Sequence, residues 1–300
     1  MFGTIKLKFN ILLFFAMMFW GLSWTNAKIL GEYFSPLELM FWRFFFASII
    51  LSPFLYFYNL ELKKIQSEFF KIVISAIFLC FYNFCYFKGT QLGYAGLGAV
   101  IVTSLMPIFT TIFTGFFYKK KINLKTKIGI FLGIFSGLII LQIWKLNIEQ
   151  LIRSGNIYFI FGALSWSILT ILTQNITKKI SNIIYSIVLL ILCSLIILFF
   201  HPQSLNIKIF KSDLRFWIHF LSVTIGGLAF GTVSYFYATE KLGALRASSF
   251  SFLVPLSALL FSMVILDEIP DIISLMGCFI AVVSVILINY SNNFKKTDRQ

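Results

Sequence analysis

Residues 86–107, YFKGTQLGYAGLGAVIVTSLMP, and residues 235–255, YFYATEKLGALRASSFSFLVP, carry one pattern twice. Tyr86-Phe87, Leu92-Gly93, Ala99, Leu105 and Pro107 in the first correspond to Tyr235-Phe236, Leu242-Gly243, Ala247, Leu253 and Pro255 in the second, and Gly129 with Gly277 extends the match. The offsets run from 148 to 150 residues in a chain of 300. Leu22-Ser23-Trp24 and Leu164-Ser165-Trp166 add a third correspondence at an offset of 142. Recurrence at a nearly fixed period marks an internal duplication. Chance similarity between apolar segments is the competing explanation for the short Leu-Ser-Trp match.

The rest of the chain says what is duplicated. Hydrophobic residues make up 59%, charged residues 12%, and the mean hydropathy is +0.91. A soluble domain carries roughly 25% charged residues, and a fold of this size could not keep so much apolar surface from water. Apolar runs of about 20 residues, the length that crosses about 30 Å of hydrocarbon, recur throughout. We read ten: 9–29, 37–58, 69–88, 93–118, 126–144, 155–175, 182–200, 216–238, 244–265 and 271–290. The third, fourth and eighth are blurred by polar and glycine residues, so nine spans also fit. The first run lacks a small-residue cleavage signature and reads as a retained helix rather than a signal peptide.

Charge orients the spans. Of 25 Lys and Arg residues, 17 fall on the side of the N-terminus and seven on the other, with Arg43 inside a span. Positive residues near helix ends resist translocation, so both termini are expected in the cytoplasm. A duplicated unit of five spans must insert its second copy upside down. The loops agree: Tyr118-Lys119-Lys120-Lys121 follows span four, whereas the equivalent Leu266-Asp267-Glu268-Ile269 carries no positive charge. The expected fold is an all-α integral membrane protein, ten transmembrane helices as two inverted five-helix repeats over residues 1–147 and 148–300.

Polar side chains at mid-span are costly unless they face a bundle interior, which makes them candidates for a solute pathway. Ser23, Trp24 and Asn26 in span one, Tyr82, Asn83 and Tyr86 in span three, Ser165 and Trp166 in span six, Tyr235 in span eight, and Ser249 and Ser251 in span nine form the expected substrate-binding set. These neutral, aromatic groups suit a solute with an apolar part and hydrogen-bonding groups. The competing reading is that hydroxyls bond backbone carbonyls and aromatic rings sit at the interface. Arg43, with Glu38 five residues before it, either snorkels to the interface or pairs with the carboxyl end of a helix. Pro107 and Pro255 interrupt equivalent helices and either flank a cavity or make a static kink. Gly129, Gly133, Gly137, Gly277 and Ala281 permit close helix contact within the bundle, with a dimer face as the other reading.

With Trp20-Gly21-Leu22-Ser23-Trp24, Ser35-Pro36-Leu37-Glu38 leading to Arg43, Tyr86 to Leu92, the two prolines and Leu266-Asp267-Glu268, the chain resembles the drug/metabolite transporter superfamily, in particular its EamA-type ten-helix exporters. The resemblance covers the whole chain. It implies an inner-membrane secondary transporter that exports amino acids or related small metabolites by alternating access, as a monomer or homodimer without a cofactor, and a gating or structural role for Arg43, Pro107, Pro255 and Glu268. The family often has Glu where this chain has Lys120, so a role for that acid exists at Glu268 alone.

Other classes fit less well. A multidrug or other solute exporter of the same fold stays open, as does a channel or structural protein. An embedded enzyme would need paired acids or a His motif, and the only histidines are His201 and His219. No P-loop is present, the charge of +14 is explained by topology rather than nucleic acid, and Cys80, Cys85, Cys193 and Cys278 lie in apolar runs without metal-ligand spacing.

Overall fold

A computed structural model describes residues 2–58, 62–118, 123–140, 142–145, 155–266 and 271–291. The described chain is helical: α1 (Phe2–Leu30), α2 (Pro36–Leu51, continued by the 3-10 turn Ser52–Phe57), α3 (Leu62–Leu92), α4 (Ala95–Tyr118), α5 (Leu124–Ile140), α6 (Gly155–Ile176) and α7 (Asn182–Phe200). α8 spans Leu214–Leu242 and is π-helical over Ser222–Thr232. α9 consists of Ala244–Ser249 and Val254–Leu266 joined by a 3-10 turn, Phe250–Leu253, and α10 is Ile272–Ser291. Seven helices, α1 to α4 and α6 to α8, are long and apolar enough to cross a membrane. α5 has 17 residues, α9 is interrupted, and the apolar stretch of α10, Ile272–Ile288, is short. Each expected span falls on one of these helices. Glu268 and Lys120 lie outside the described residues.

Local chemistry sets the helix ends. Ser35 and Glu38 form a reciprocal cap on α2: Glu38 N–H donates to Ser35 Oγ (3.4 Å), Ser35 N–H donates to Glu38 Oε2 (2.9 Å), and Pro36 occupies the first turn, where no N–H is needed. Between α8 and α9 the chain turns at Gly243 with φ +89°, a conformation that favours glycine. The Ala244 N–H beyond it donates to Gln174 Oε1 (3.1 Å). Asp271 caps α10 by accepting from the Ser274 N–H (2.9 Å) and also accepts from Gln142 Nε2, bonds that hold its carboxyl below the usual carboxylate range.

The two prolines act through the carbonyls they leave open. Pro107 has no N–H for the Thr103 carbonyl one turn back, and Ser251 Oγ from α9 donates to that oxygen instead (2.7 Å). Pro255 leaves the Ser251 carbonyl open, and the Val254 N–H closes on it, making the 3-10 turn. Ser251→Ala should therefore cost about 1–3 kcal/mol, the penalty of an unsatisfied buried acceptor. In a Pro107→Ala background, where an N–H is restored, the cost should be smaller; equal costs in a thermal-unfolding double-mutant cycle would refute the exchange.

Packing follows small residues. A Cβ on Gly129 would lie 2.5 Å from Ile288, one on Gly277 2.6 Å from Ile140, and one on Gly133 2.3 Å from the Phe252 ring, so α5 meets α10 and α9 at glycines, within the bundle. α1 packs on α8 and α9, α6 on α3 and α4, α2 on α7, α5 on α10 and α4 on α9. This scheme is unchanged when every helix is exchanged for the one five positions away. Phe116, Phe131, Phe199 and Phe279 face outward, as a lipid-facing surface requires.

Candidate functional site

The centre of the bundle holds a cavity of about 30 Å³ lined by α1 (Trp20, Ser23, Trp24), α2 (Arg43), α3 (Tyr82, Asn83, Tyr86), α4 (Val102, Thr103, Met106), α6 (Trp166) and α8 (Leu228, Thr232). A water molecule needs about 10–15 Å³ measured this way. The cavity therefore admits roughly two waters, and a metabolite enters only after helices separate.

Its walls are aromatic. Trp24 meets Tyr86 edge to face at 4.8 Å, and the corresponding Trp166 of the second half meets Tyr235 at 5.6 Å. Trp166 also contacts Tyr82 (4.5 Å) and Trp20 (5.0 Å), which places rings of both halves in one cluster. The Tyr86 hydroxyl donates to the Ser23 carbonyl (2.6 Å), and Tyr235 shares a hydrogen bond with Thr170 (3.0 Å). Trp166 Nε1 lies beside the Tyr235 hydroxyl without a well-formed hydrogen bond.

Arg43 is 6% exposed and reaches into this cluster. Its Nη1 donates to Asn83 Oδ1 (2.7 Å), its Nη2 donates to the Val223 carbonyl (3.2 Å), and it lies 5.8 Å from the Tyr86 ring centre and 5.7 Å from that of Phe87. The side chain therefore turns inward toward these partners and does not reach out to the membrane interface. Glu38 is not its partner, since that carboxylate is taken by Ser35 and by Asn206 Nδ2 (2.6 Å).

The π stretch of α8 supplies the opposite wall. Gly227 C=O accepts from Trp20 Nε1 (3.0 Å) and Thr232 Oγ1 (3.2 Å), and Val223 C=O accepts from Arg43. A widened helix leaves carbonyls open to side chains, and such segments concentrate at functional sites. A Cβ on Gly227 would fall 2.4 Å from Ser23 Oγ, so only glycine lets α1 and α8 meet there.

Of the expected binding residues, Ser23, Trp24, Tyr82, Asn83, Tyr86 and Trp166 line the cavity. The other five are buried elsewhere. Asn26 donates to Ser222 Oγ (2.8 Å) and pairs with His219 (2.9 Å), Ser165 donates to the Phe78 carbonyl (2.7 Å), and Ser249 to that of Arg246 (2.8 Å). Ser251 serves Thr103, and Tyr235 stands behind Trp20 and Trp166. Even Ser23 donates to its own helix, to the Phe19 carbonyl (2.7 Å). Trp20, Thr103 and Thr232, with the apolar Val102, Met106 and Leu228, line the cavity outside the expected set, and of these Trp20 had a signal in the sequence. It sits one turn before Trp24 in the quoted Trp-Gly-Leu-Ser-Trp run, so the i, i+4 spacing already placed both on one face.

At the end of the bundle where α3 turns into α4, glycines bring α6 close. A Cβ on Gly155 would lie 2.8 Å from the Gly89 carbonyl and 2.9 Å from Gly93 Cα and N. Phe159, fully buried, fills a socket where a Cβ on Gly89 or Gly98 would come within 2.5 and 2.4 Å of its ring. At the opposite end, Glu68 of α3 pairs with Lys71 (2.6 Å) and with Lys179 beyond α6.

The profile of the EamA-like transporter family matches residues 7–142 and again residues 153–290. The chain belongs to the EamA-like transporter family. It is a multi-pass membrane transporter, as the resemblance implied. Among EamA relatives, YoaV of Bacillus subtilis, an uncharacterized transporter, is 26% identical over 93% of this chain and 96% of its own length. An S-adenosylmethionine uptake transporter of Rickettsia bellii is 25% identical over 88% of this chain and 87% of its own. A WAT1-related chloroplastic protein of Arabidopsis thaliana is 25% identical over 91% of this chain and 67% of its own. A solved crystal structure shares the fold with a TM-score of 0.77 at 14% identity, across 96% of this chain and 99% of that one.

Proposed function

We propose that this EamA transporter is a secondary carrier of the bacterial inner membrane that exports an amino acid or related small metabolite by alternating access. Two inverted five-helix halves, residues 1–147 and 148–300, rock around the central cavity. The observation that supports the reading is the cavity itself: too small for a metabolite as it stands, and walled by side chains of α1 to α4 and of α6 and α8. A channel needs a continuous path; a carrier needs an occluded state. The twofold exchange in helix packing, the matched Trp24–Tyr86 and Trp166–Tyr235 pairs and the double profile match support the inverted duplication. Lys63, Lys64, Lys71, Lys178, Lys179, Lys241 and Arg246 all flank helix ends on the side assigned to the cytoplasm, which supports cytoplasmic termini.

The name of the Rickettsia relatives favours a second reading, uptake, and S-adenosylmethionine as the solute. Its adenine ring and sulfonium cation both suit an aromatic cage. Vesicles reconstituted with the purified protein and loaded with one unlabelled compound at a time should show counterflow, a transient uptake of label above equilibrium, for a restricted set of amino acids and metabolites. Counterflow requires a reorienting site. Flux without counterflow indicates a channel, and flux of S-adenosylmethionine alone favours the second reading. Of the six described acids, Glu32, Glu38, Asp213, Glu240 and Asp271 stand at helix ends or in turns and Glu68 is paired with Lys71 and Lys179, so we expect exchange that survives proton uncouplers; its loss would require a coupling acid.

A further inference from the structure

We infer that Arg43 recognises a carboxylate on the transported molecule, so that the solute is a monoanion or a zwitterion with an aromatic or apolar body. The inference rests on the carrier reading and adds the charge class of the substrate.

α2 carries Arg43 eight residues beyond its Ser35 cap, about 12 Å along the axis at 1.5 Å per residue. The guanidinium thus stands well inside the bundle. Two of its five N–H groups are used, on Asn83 and Val223, and both acceptors are neutral. Nε has no partner. Among the described residues, no carboxylate oxygen lies within ion-pairing distance of it. Of the described acids, Glu32, Glu38, Asp213, Glu240 and Asp271 are at helix ends or in turns, and Glu68, nearly two turns into α3, is taken by Lys71 and Lys179.

A buried cation without a counter-charge is expensive. If Arg43 served only to hold Asn83 and the Val223 carbonyl, a neutral donor would do so without the desolvation cost. The cation becomes favourable once an anion arrives, and it opens onto the cavity. One guanidinium matches one carboxylate with two parallel hydrogen bonds. No lysine lines the cavity to balance the second charge of a phosphate. The remaining walls, Trp20, Trp24, Tyr82 and Trp166, accept a ring or aliphatic body, and their faces also attract the ammonium of a zwitterion.

The test uses the full-length protein in vesicles, with amino acids supplied as free acids and as the corresponding carboxamides. Counterflow and ligand-induced thermal stabilisation are read for wild type, Arg43→Lys and Arg43→Gln. A charge-assisted hydrogen bond contributes enough for about a 10- to 100-fold preference, so wild type should favour the acid by at least about tenfold. In Arg43→Gln the acid-to-amide ratio should fall to about one. Arg43→Lys, which keeps the charge and loses the fork, should give an intermediate ratio and serves if the Gln variant does not accumulate. Full acid preference retained in these variants overturns the inference, as does a wild type that prefers amides or ignores the difference; the carrier reading survives both results. Silence for every compound in folded wild-type protein fails the carrier reading, and the inference falls with it.

Discussion

Gly155→Ala should leave the protein folded and slow exchange by about tenfold or more. The added methyl would meet three backbone atoms, the Gly89 oxygen of α3 and the Gly93 Cα and N of the turn that follows it, at 2.8–2.9 Å, and backbone cannot step aside as the tip of a side chain can. Overpacking of this kind costs about 1–3 kcal/mol, which shifts a two-state population by about 5- to 150-fold. The cost applies only while α6 touches the α3–α4 turn, so the variant should accumulate with that end open. A cysteine placed at Thr103, in the cavity wall, should then react faster with an impermeant thiol reagent added on that side. Gly96→Ala is the control, because nothing lies within 4 Å of the added methyl. Wild-type exchange and labelling in Gly155→Ala would show that this contact is not a gate.

Trp166→Ala is expected to be the most damaging truncation in the cavity wall. Trp166 is 2% exposed and touches Trp20, Tyr82, Tyr235 and Phe236 at ring-centre distances of 4.5–6.1 Å. Removing a buried Trp costs about 3–5 kcal/mol, and each aromatic pair adds about 0.5–1.5 kcal/mol. The melting temperature should fall by many degrees, and substrate-selective efflux should disappear. Trp166→Phe keeps most of the packing and should retain most of the stability with altered selectivity. Trp24→Ala together with Trp166→Ala removes the repeat-related pair and should abolish selective efflux. Undiminished selectivity in well-folded double-mutant protein would sever both rings from the pathway.

The helices could be read from hydropathy because each crosses an apolar solvent and needs one long, uncharged run. The duplication was legible because its markers, Tyr-Phe, Leu-Gly and Pro, sit at positions where geometry leaves few choices. Asn26, Ser165, Ser249 and Ser251 do not line this cavity, for a physical reason. A hydroxyl or amide buried among helices satisfies itself on the nearest carbonyl, and hydropathy gives no angle about the helix axis. Ser251 is the instructive example: its partner, the Thr103 carbonyl, is open only because Pro107 lies four residues on in another helix. Arg43 could be seen as unusual but not aimed, since its direction is set by Asn83 and by a carbonyl of α8. The π stretch had no signal beyond Gly226, Gly227 and Gly231.

That stretch has a consequence for symmetry. In an ideal inverted repeat the two open forms are exchanged by a twofold rotation about an axis in the membrane plane and are equal in free energy, so an empty carrier would rest equally on either face. α3 is regular through the region equivalent to Ser222–Thr232. Of the two helices, only α8 carries a wide turn, with carbonyls that accept from Trp20 and Arg43. On the carrier reading proposed above, this difference in backbone breaks the degeneracy: the empty molecule is expected to prefer one resting face, and half-saturation measured from the two sides of the membrane is expected to differ even without an ion gradient.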